Sequence, residues 1–287
     1  MRGESPTYAA VILYYQLGDR IHDTIAALQN QQRAPDSIVL VDNASYDGVL
    51  DDAERRYPAC RVLRMPRNSG YAAGMNAGAS ALAERFDYVL FLTHEVVMDS
   101  DCTARLISVL RERERVGMVG PKLRLLDTDI TWSVGGWITR FGDVRHNLDE
   151  SRASEVHWLD GACLLMRTSI FLDIGGFDED YFLYWEDVDV SIDIRIRSGI
   201  ACVPEAIAYQ GTAKTPIYFR TRNQILCWHK HRQPWRVGYA IVHAVIKAAA
   251  VDLGGRAPAQ AKARLVGVMD GLTGRLTSSP ISMVREK

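Results

Sequence analysis

The chain has 287 residues, with 34 Lys+Arg against 35 Asp+Glu, a formal net charge of -1, and 47% apolar residues. That balance supplies a buried core and excludes a disordered, collagen-like or coiled-coil protein. No apolar run approaches the ~20 residues of a membrane span and Met1–Pro6 lacks an apolar h-region, so a cytosolic protein without span or signal peptide is expected.

Taken in chain order, Ala9–Tyr15 and Ile38–Val41 are short unbroken apolar runs, the pattern of strands buried on both faces. Between them, Ile21, Ile25 and Leu28 recur at helical spacing over 19–32, behind a possible cap at Asp19. A helix over 47–57, a strand over 61–65, a helix over 71–85, the strand Tyr88–Leu92, a helix over 102–113 and a strand over 116–120 continue the alternation. Such alternation predicts a parallel sheet with helices on both faces. The stretch 125–155, with Gly135-Gly136 and Gly142-Asp143, breaks the rhythm and predicts a hairpin or long loop. Val188–Ile196 alternates apolar and polar residues as a strand would, yet Val188, Ile192 and Ile196 also share a helical face; Gly199 could end either element. After Val203-Pro204 the chain enters a tail with amphipathic helices over 238–250 and 258–272. The five cysteines, Cys60, Cys102, Cys163, Cys202 and Cys227, are scattered without a C-x-x-C pair, so reduced, buried thiols are expected rather than disulfides or a zinc site.

The neutral total conceals an asymmetry. Residues 1–213 carry 21 Lys+Arg and 32 Asp+Glu, whereas residues 214–287 carry 13 and 3. The body is acidic and the tail basic, and a division at residue 213 follows. Such a tail can pack on its own body, form a homodimer or rest on an anionic membrane as an interfacial helix. No nucleic-acid-binding module accompanies it.

Four places carry candidate chemistry. Asp42-Asn43-Ala44-Ser45 and Asp47-Gly48 follow a strand, where ligands of open α/β sheets bind; a polar turn capping the next helix is the plainer alternative. Arg67-Asn68-Ser69-Gly70 leads into Tyr71-Ala72-Ala73-Gly74-Met75-Asn76, small residues at a helix start that favour either phosphate or close packing. Thr93-His94-Glu95 ends a buried strand and could hold a divalent cation, His94 suiting Mn²⁺ better than Mg²⁺. Asp178–Asp193 gathers seven acids with Tyr181, Phe182, Tyr184 and Trp185 and no basic residue; crowded carboxylates raise one another's pKa and make a general base.

VDNASYDG, RNSGYAAGMNAG, the strand ending in a polar triplet, WLDGACLLMR, GGFDEDYFLYWEDVDV, VPEA and YFRTRN resemble, in that order, the landmarks of glycosyltransferase family 2, above all its rhamnosyltransferase-like branch. The resemblance implies a GT-A fold, an α/β architecture with a mainly parallel central sheet and a helical C-terminal appendage. It implies transfer with inversion from a nucleoside-diphosphate sugar to a hydroxyl of a glycan, a lipid-linked saccharide or a natural product. Asp42 would meet the nucleobase, with Tyr15, Asn43, Asn68, Gly70, Asn76 and Arg222 around the nucleotide. Trp158, Asp160, Gly161 and Ala162 would border donor sugar and acceptor, Trp185 would stack on a sugar, and Asp187, beside Glu186, would be the base. The family's metal-holding Asp-x-Asp is here Thr93-His94-Glu95, so Mg²⁺ or Mn²⁺ would rest on Glu95 and His94 or give way in part to Arg222. That departure leaves a second class of function open, a catalytically silent nucleotide-sugar-binding protein. A dinucleotide oxidoreductase lacks its glycine fingerprint.

Overall fold

Seven consecutive buried residues make Tyr8–Tyr14 a strand, β1, covered on both faces. A computed structural model describes residues 6–16, 18–82, 86–211 and 216–276. In chain order, α1 (Arg20–Gln29), β2 (Ser37–Asp42), α2 (Val49–Arg56), β3 (Cys60–Arg64), α3 (Gly70–Ser80) and β4 (Tyr88–Thr93) realise the expected alternation. Asp19 stands at the start of α1 but makes no side-chain cap. Then come β5 (Val97–Met98), α4 (Cys102–Glu112), β6 (Val116–Leu125), β7 (Thr131–Ser133), β8 (Gly136–Ile138) and β9 (Val144–His146). They are followed by β10 (Cys163–Arg167), α5 (Thr168–Asp173), α6 (Glu186–Arg197), β11 (Gly199–Gln210), α7 (Ile217–Lys230), α8 (Pro234–Lys247) and α9 (Pro258–Thr273).

The main sheet runs β3-β2-β1-β4-β10-β6-β11-β5, with β7 added on β6. β1 pairs in parallel with β2 and β4, and β6 with β11. β10, unforeseen in the sequence, lies antiparallel between β4 and β6. The sheet is therefore mixed, though six strands share one direction. The reversal has a consequence for the site: it brings the residues before β10 beside the carboxyl end of β4, where Thr93 N donates to the Ala162 carbonyl at 3.1 Å.

The ambiguous segment 188–196 is helical. Val190 and Ile194, four apart, are buried with Val188, while Ile196 is exposed, so the burying face differs from the one anticipated. Gly199 opens a strand rather than closing a helix, and Pro204 lies inside β11 at a register shift between Val203 and Ile207, where a residue without an N–H is tolerated. The apolar side chains of β1, β2, β4 and their flanking helices form one core. Helix α3 packs closely on the sheet because Gly78 has no side chain; a Cβ there would overlap Val11 and lie 2.8 Å from Val41. All five cysteines are free and buried.

The chain divides into two compact units. One comprises Met1–Trp137, His146–Glu179 and Asp187–Thr212; the other Ile138–Arg145, Asp180–Glu186 and Ala213–Lys287. In the second, α7 packs with α8 and α9. Among the described residues no helix is long and apolar enough to cross a membrane.

Candidate active site

Parallel pairing aligns the strand ends Tyr14, Asp42 and Arg64. Asp42 is buried, and its Oδ1 accepts from Ser45 N at 2.8 Å, so the turn expected after β2 is present. A cavity of about 280 Å³ opens there, lined by Asp42, Ser45, Tyr46, Asp47, Asp51 and Arg64 among others. Asn43 is fully engaged: its Nδ2 donates to Asn68 Oδ1 and the Gly70 carbonyl, each at 3.0 Å, and its Oδ1 accepts from Ser69 N. Asn68 Oδ1 also accepts from Gly70 N, and Gly70 holds φ +86°, a conformation that suits glycine. Asn43, Asn68 and Gly70 thus lock two strand-end loops together. Tyr15 follows β1, half-buried.

Asn76, expected at the nucleotide, points elsewhere. Its Nδ2 donates to the Phe177 carbonyl at 2.8 Å and to Glu179 at 3.0 Å, and its Oδ1 accepts from Phe177 N. It pins the Gly-Gly-Phe-Asp turn to α3.

At the end of β4, His94 Nδ1 lies 3.0 Å from the Leu13 carbonyl. A carbonyl only accepts, so Nδ1 carries the proton and Nε2 is left bare; that atom is buried without a hydrogen-bond partner. Burial holds the ring's pKa down, so the imidazole is neutral. A metal-ligating histidine is commonly fixed in this way, with its other nitrogen on a carbonyl. Glu95 is half-buried, and glycine at 211 leaves it room, since a Cβ there would stand 3.0 Å from Glu95 Oε2 and 3.1 Å from Arg20. The pair fits a divalent cation in donor chemistry. Among the described residues no third His, Cys, Asp or Glu joins them within ligand reach.

The densest constellation surrounds Asp187. Its Oδ2 accepts from Gly161 N at 3.0 Å and its Oδ1 from Val188 N at 2.8 Å. Tyr71 Oη donates to the Gly161 carbonyl at 2.6 Å, fixing the same residue through its following peptide. Gly161 is tightly placed, as a Cβ would meet Asp187 at 3.2 Å. Asp160 accepts from Ala162 N at 3.0 Å and from the Trp132 indole at 3.1 Å. Ser191 Oγ donates to the Asp187 carbonyl and accepts from Leu159 N, tying α6 to the segment that feeds β10. Asp160, Gly161, Ala162 and Asp187, far apart in sequence, are therefore one cluster. Burial, reinforced by the negative charge of Asp160, pushes the Asp187 carboxyl up to about 7 against the pull of its N–H donors. A carboxylate so placed titrates near neutrality and can take a proton from a hydroxyl.

The remaining expected residues are placed differently. Trp158 is buried with its indole against Gly136 and His146, so it shapes the wall rather than offering a face. In the second unit Trp185 is also buried, edge-on to Trp228 at 6.0 Å, and is no open stacking platform. Glu186 is buried at the start of α6. Arg222 is buried too; its guanidinium donates to the Arg275 and Asp180 carbonyls at 2.7 Å and to Asn223 at 2.6 Å, so it braces the helical unit instead of awaiting phosphate.

Sequence reasoning missed Tyr71, Trp132, Ser191 and Asn223. Asn223 Nδ2 donates to the carbonyls of Tyr181, Leu183 and Tyr184 at 2.7–3.0 Å, holding a turn in which Phe182, Tyr184 and Trp185 all have positive φ. Tyr71 and Asn223 both lie within motifs already singled out, but only the fold shows what they touch.

A family profile described as glycosyltransferase like family 2 matches residues 6–233. The chain belongs to this family. This family 2 glycosyltransferase is 30% identical over 210 residues to an N-acetylglucosaminyl-diphospho-decaprenol L-rhamnosyltransferase of Mycobacterium tuberculosis (strain CDC 1551 / Oshkosh), covering 63% of this chain and 67% of that protein. Its fold is similar to S. aureus TarS, with TM-score 0.63 and 14% identity over 94% of this chain; it spans about half, 49%, of that longer protein. It is likewise similar to mannosyltransferase PcManGT from Pyrobaculum calidifontis, solved with GDP-Man and Mn²⁺, with TM-score 0.63 and 15% identity, covering 96% of this chain and 89% of that one. The architecture is the GT-A fold.

Proposed function

We propose that this glycosyltransferase transfers a deoxyhexose, L-rhamnose in the first instance, from its nucleoside diphosphate to a hydroxyl of a lipid-linked saccharide, with inversion at the anomeric carbon. The observation that carries the reading is the Asp187 carboxylate, held by two backbone N–H groups and raised to about 7 by burial and Asp160. An inverting displacement needs one base on the acceptor side, and a single carboxylate with lone pairs to spare supplies it. Asp187 removes the hydroxyl proton as the acceptor oxygen attacks the anomeric carbon and the sugar–phosphate bond breaks, the electron pair leaving with the diphosphate. Gly161 and Tyr71 hold the base in place. The cavity lined by Asp42, Ser45, Tyr46 and Arg64 is suited to the nucleoside.

The neighbour PcManGT was solved with Mn²⁺ and GDP-Man. In this chain Glu95 and the bare Nε2 of His94 would hold such a cation, which would neutralise charge on the departing diphosphate. The sugar and acceptor class follow the name of the mycobacterial relative. The test is incubation of the full chain with UDP-, dTDP- or GDP-L-rhamnose and an N-acetylglucosaminyl-diphospho-polyprenol, with the product's anomeric configuration read by NMR. A rhamnosylated lipid of configuration opposite to the donor is expected; a product retaining the donor configuration, or no transfer from any of the three, contradicts the reading.

A further inference from the structure

In the helical unit, α8 and α9 leave a set of large apolar side chains outside the core. The faces of α8 and α9 turned to the unit's own core are built mostly from small residues: Ala240, Ala244, Ala261, Ala263, Gly267 and Gly271 are buried, together with Val268, and Val237 and Ile241 pack beside them. Other large apolar side chains of the same helices face outward. On α8, Val242 and Ile246 are each 58% exposed, with Trp235 exposed seven residues before Val242. On α9, Leu265, Met269 and Leu272 recur at i, i+4 and i+7, Met269 being 61% exposed. Each set is one helical stripe, and none of its residues belongs to the core cluster of Ile225, Ala240, Ala244 and Val268. Packing of the unit does not call for large apolar residues at these positions, and leaving them in water is unfavourable unless something covers them.

The charges of the same helical unit select the cover. Lys230, Arg232, Arg256, Lys262 and Arg275 are exposed. Residues 214–287 hold 3 acids in all. Of these, Asp252 is buried against Arg264 at 2.9 Å and Asp270 accepts from Tyr218 at 2.7 Å. The surface is apolar and cationic, with its described acids already engaged. A second copy would set cations against cations, whereas an anionic bilayer accepts both the stripes and the charges. We propose that the outward faces of α8 and α9 form a docking surface for an anionic lipid bilayer, lying on the membrane without crossing it. This does not depend on the donor or acceptor assigned above.

The test is sedimentation of the full chain with phosphatidylglycerol/phosphatidylcholine vesicles and with phosphatidylcholine vesicles alone, at low and high salt. It is repeated with the variant Val242→Ser/Ile246→Ser/Met269→Ser, changed only at exposed positions, and with Arg256→Glu/Lys262→Glu. Expected are binding to the anionic vesicles that falls at least about tenfold in high salt or in either variant, and a blue shift of tryptophan emission from Trp235 on binding. Melting temperatures of the variants close to that of the native chain show that they fold. Equal binding to both vesicle types, no binding to either, or unchanged binding by the serine variant overturns the proposal. So does a dimer in analytical ultracentrifugation that the serine variant abolishes, because the stripes then cover one another.

Discussion

Asp187 and Asp160 make a pair of carboxylates in which one sets the working range of the other. Because the raised group acts only after losing its proton, turnover should climb with pH through about 7 and level off above. Replacing Asp160 with Asn removes the neighbouring negative charge and should move that limb to lower pH; a limb that stays in place in a kcat/KM profile would separate the two groups. Stability runs the opposite way. A carboxyl whose folded pKa lies above its ordinary value binds its proton more tightly when folded, so this group stabilises the fold at low pH, and its contribution is lost as pH rises toward about 7. Asp187→Asn should flatten that component in denaturant titrations across pH 4–8. Asp187 was singled out in the sequence, through the acidic aromatic run and the family motif. Its pairing with Asp160 was not legible there, since residues 160 and 187 become neighbours only through the antiparallel placement of β10.

At the scale of elements, the turn ahead of α6 is held by one side chain. Asn223 serves three carbonyls of a segment with positive φ at Phe182, Tyr184 and Trp185. Asn223→Ala leaves those carbonyls short of donors and should cost about 1–3 kcal/mol, visible as a lower Tm; an unchanged Tm would mean the turn is set by its own packing. The early alternation of strands and helices was readable because those strands are unbroken apolar runs and the helices keep a 3.6-residue period. The stretch at 188–196 stayed open between strand and helix because polar members of the helix are buried as well: Asp189 and Ser191 lie inside, and the Ser191 hydroxyl donates to the Asp187 carbonyl. Asn76 and Arg222 show the same limit, for their residue types suit nucleotide contacts and yet each is engaged by backbone and side-chain groups of the fold.

At the scale of the whole molecule, family membership and the GT-A fold agree with the order of motifs in the sequence, and the proposed cation site at His94 and Glu95 is tested by binding. Calorimetry with the matching nucleoside diphosphate should show tighter binding with Mn²⁺ than with chelator, and Glu95→Gln should remove most of that difference while leaving metal-free affinity unchanged. Equal affinity in Mn²⁺ and chelator would take the cation out of donor binding. Donor and acceptor were the least legible features, since the cavity at Asp42 and the surface cover of α8 and α9 depend on which side chains end up exposed. The measurement that bears most directly on the account is sugar transfer by Asp187→Asn set beside its nucleotide affinity. Transfer reduced by about 10²–10⁴ with nucleotide binding intact is the predicted result; transfer near the native rate would show that Asp187 is not the base.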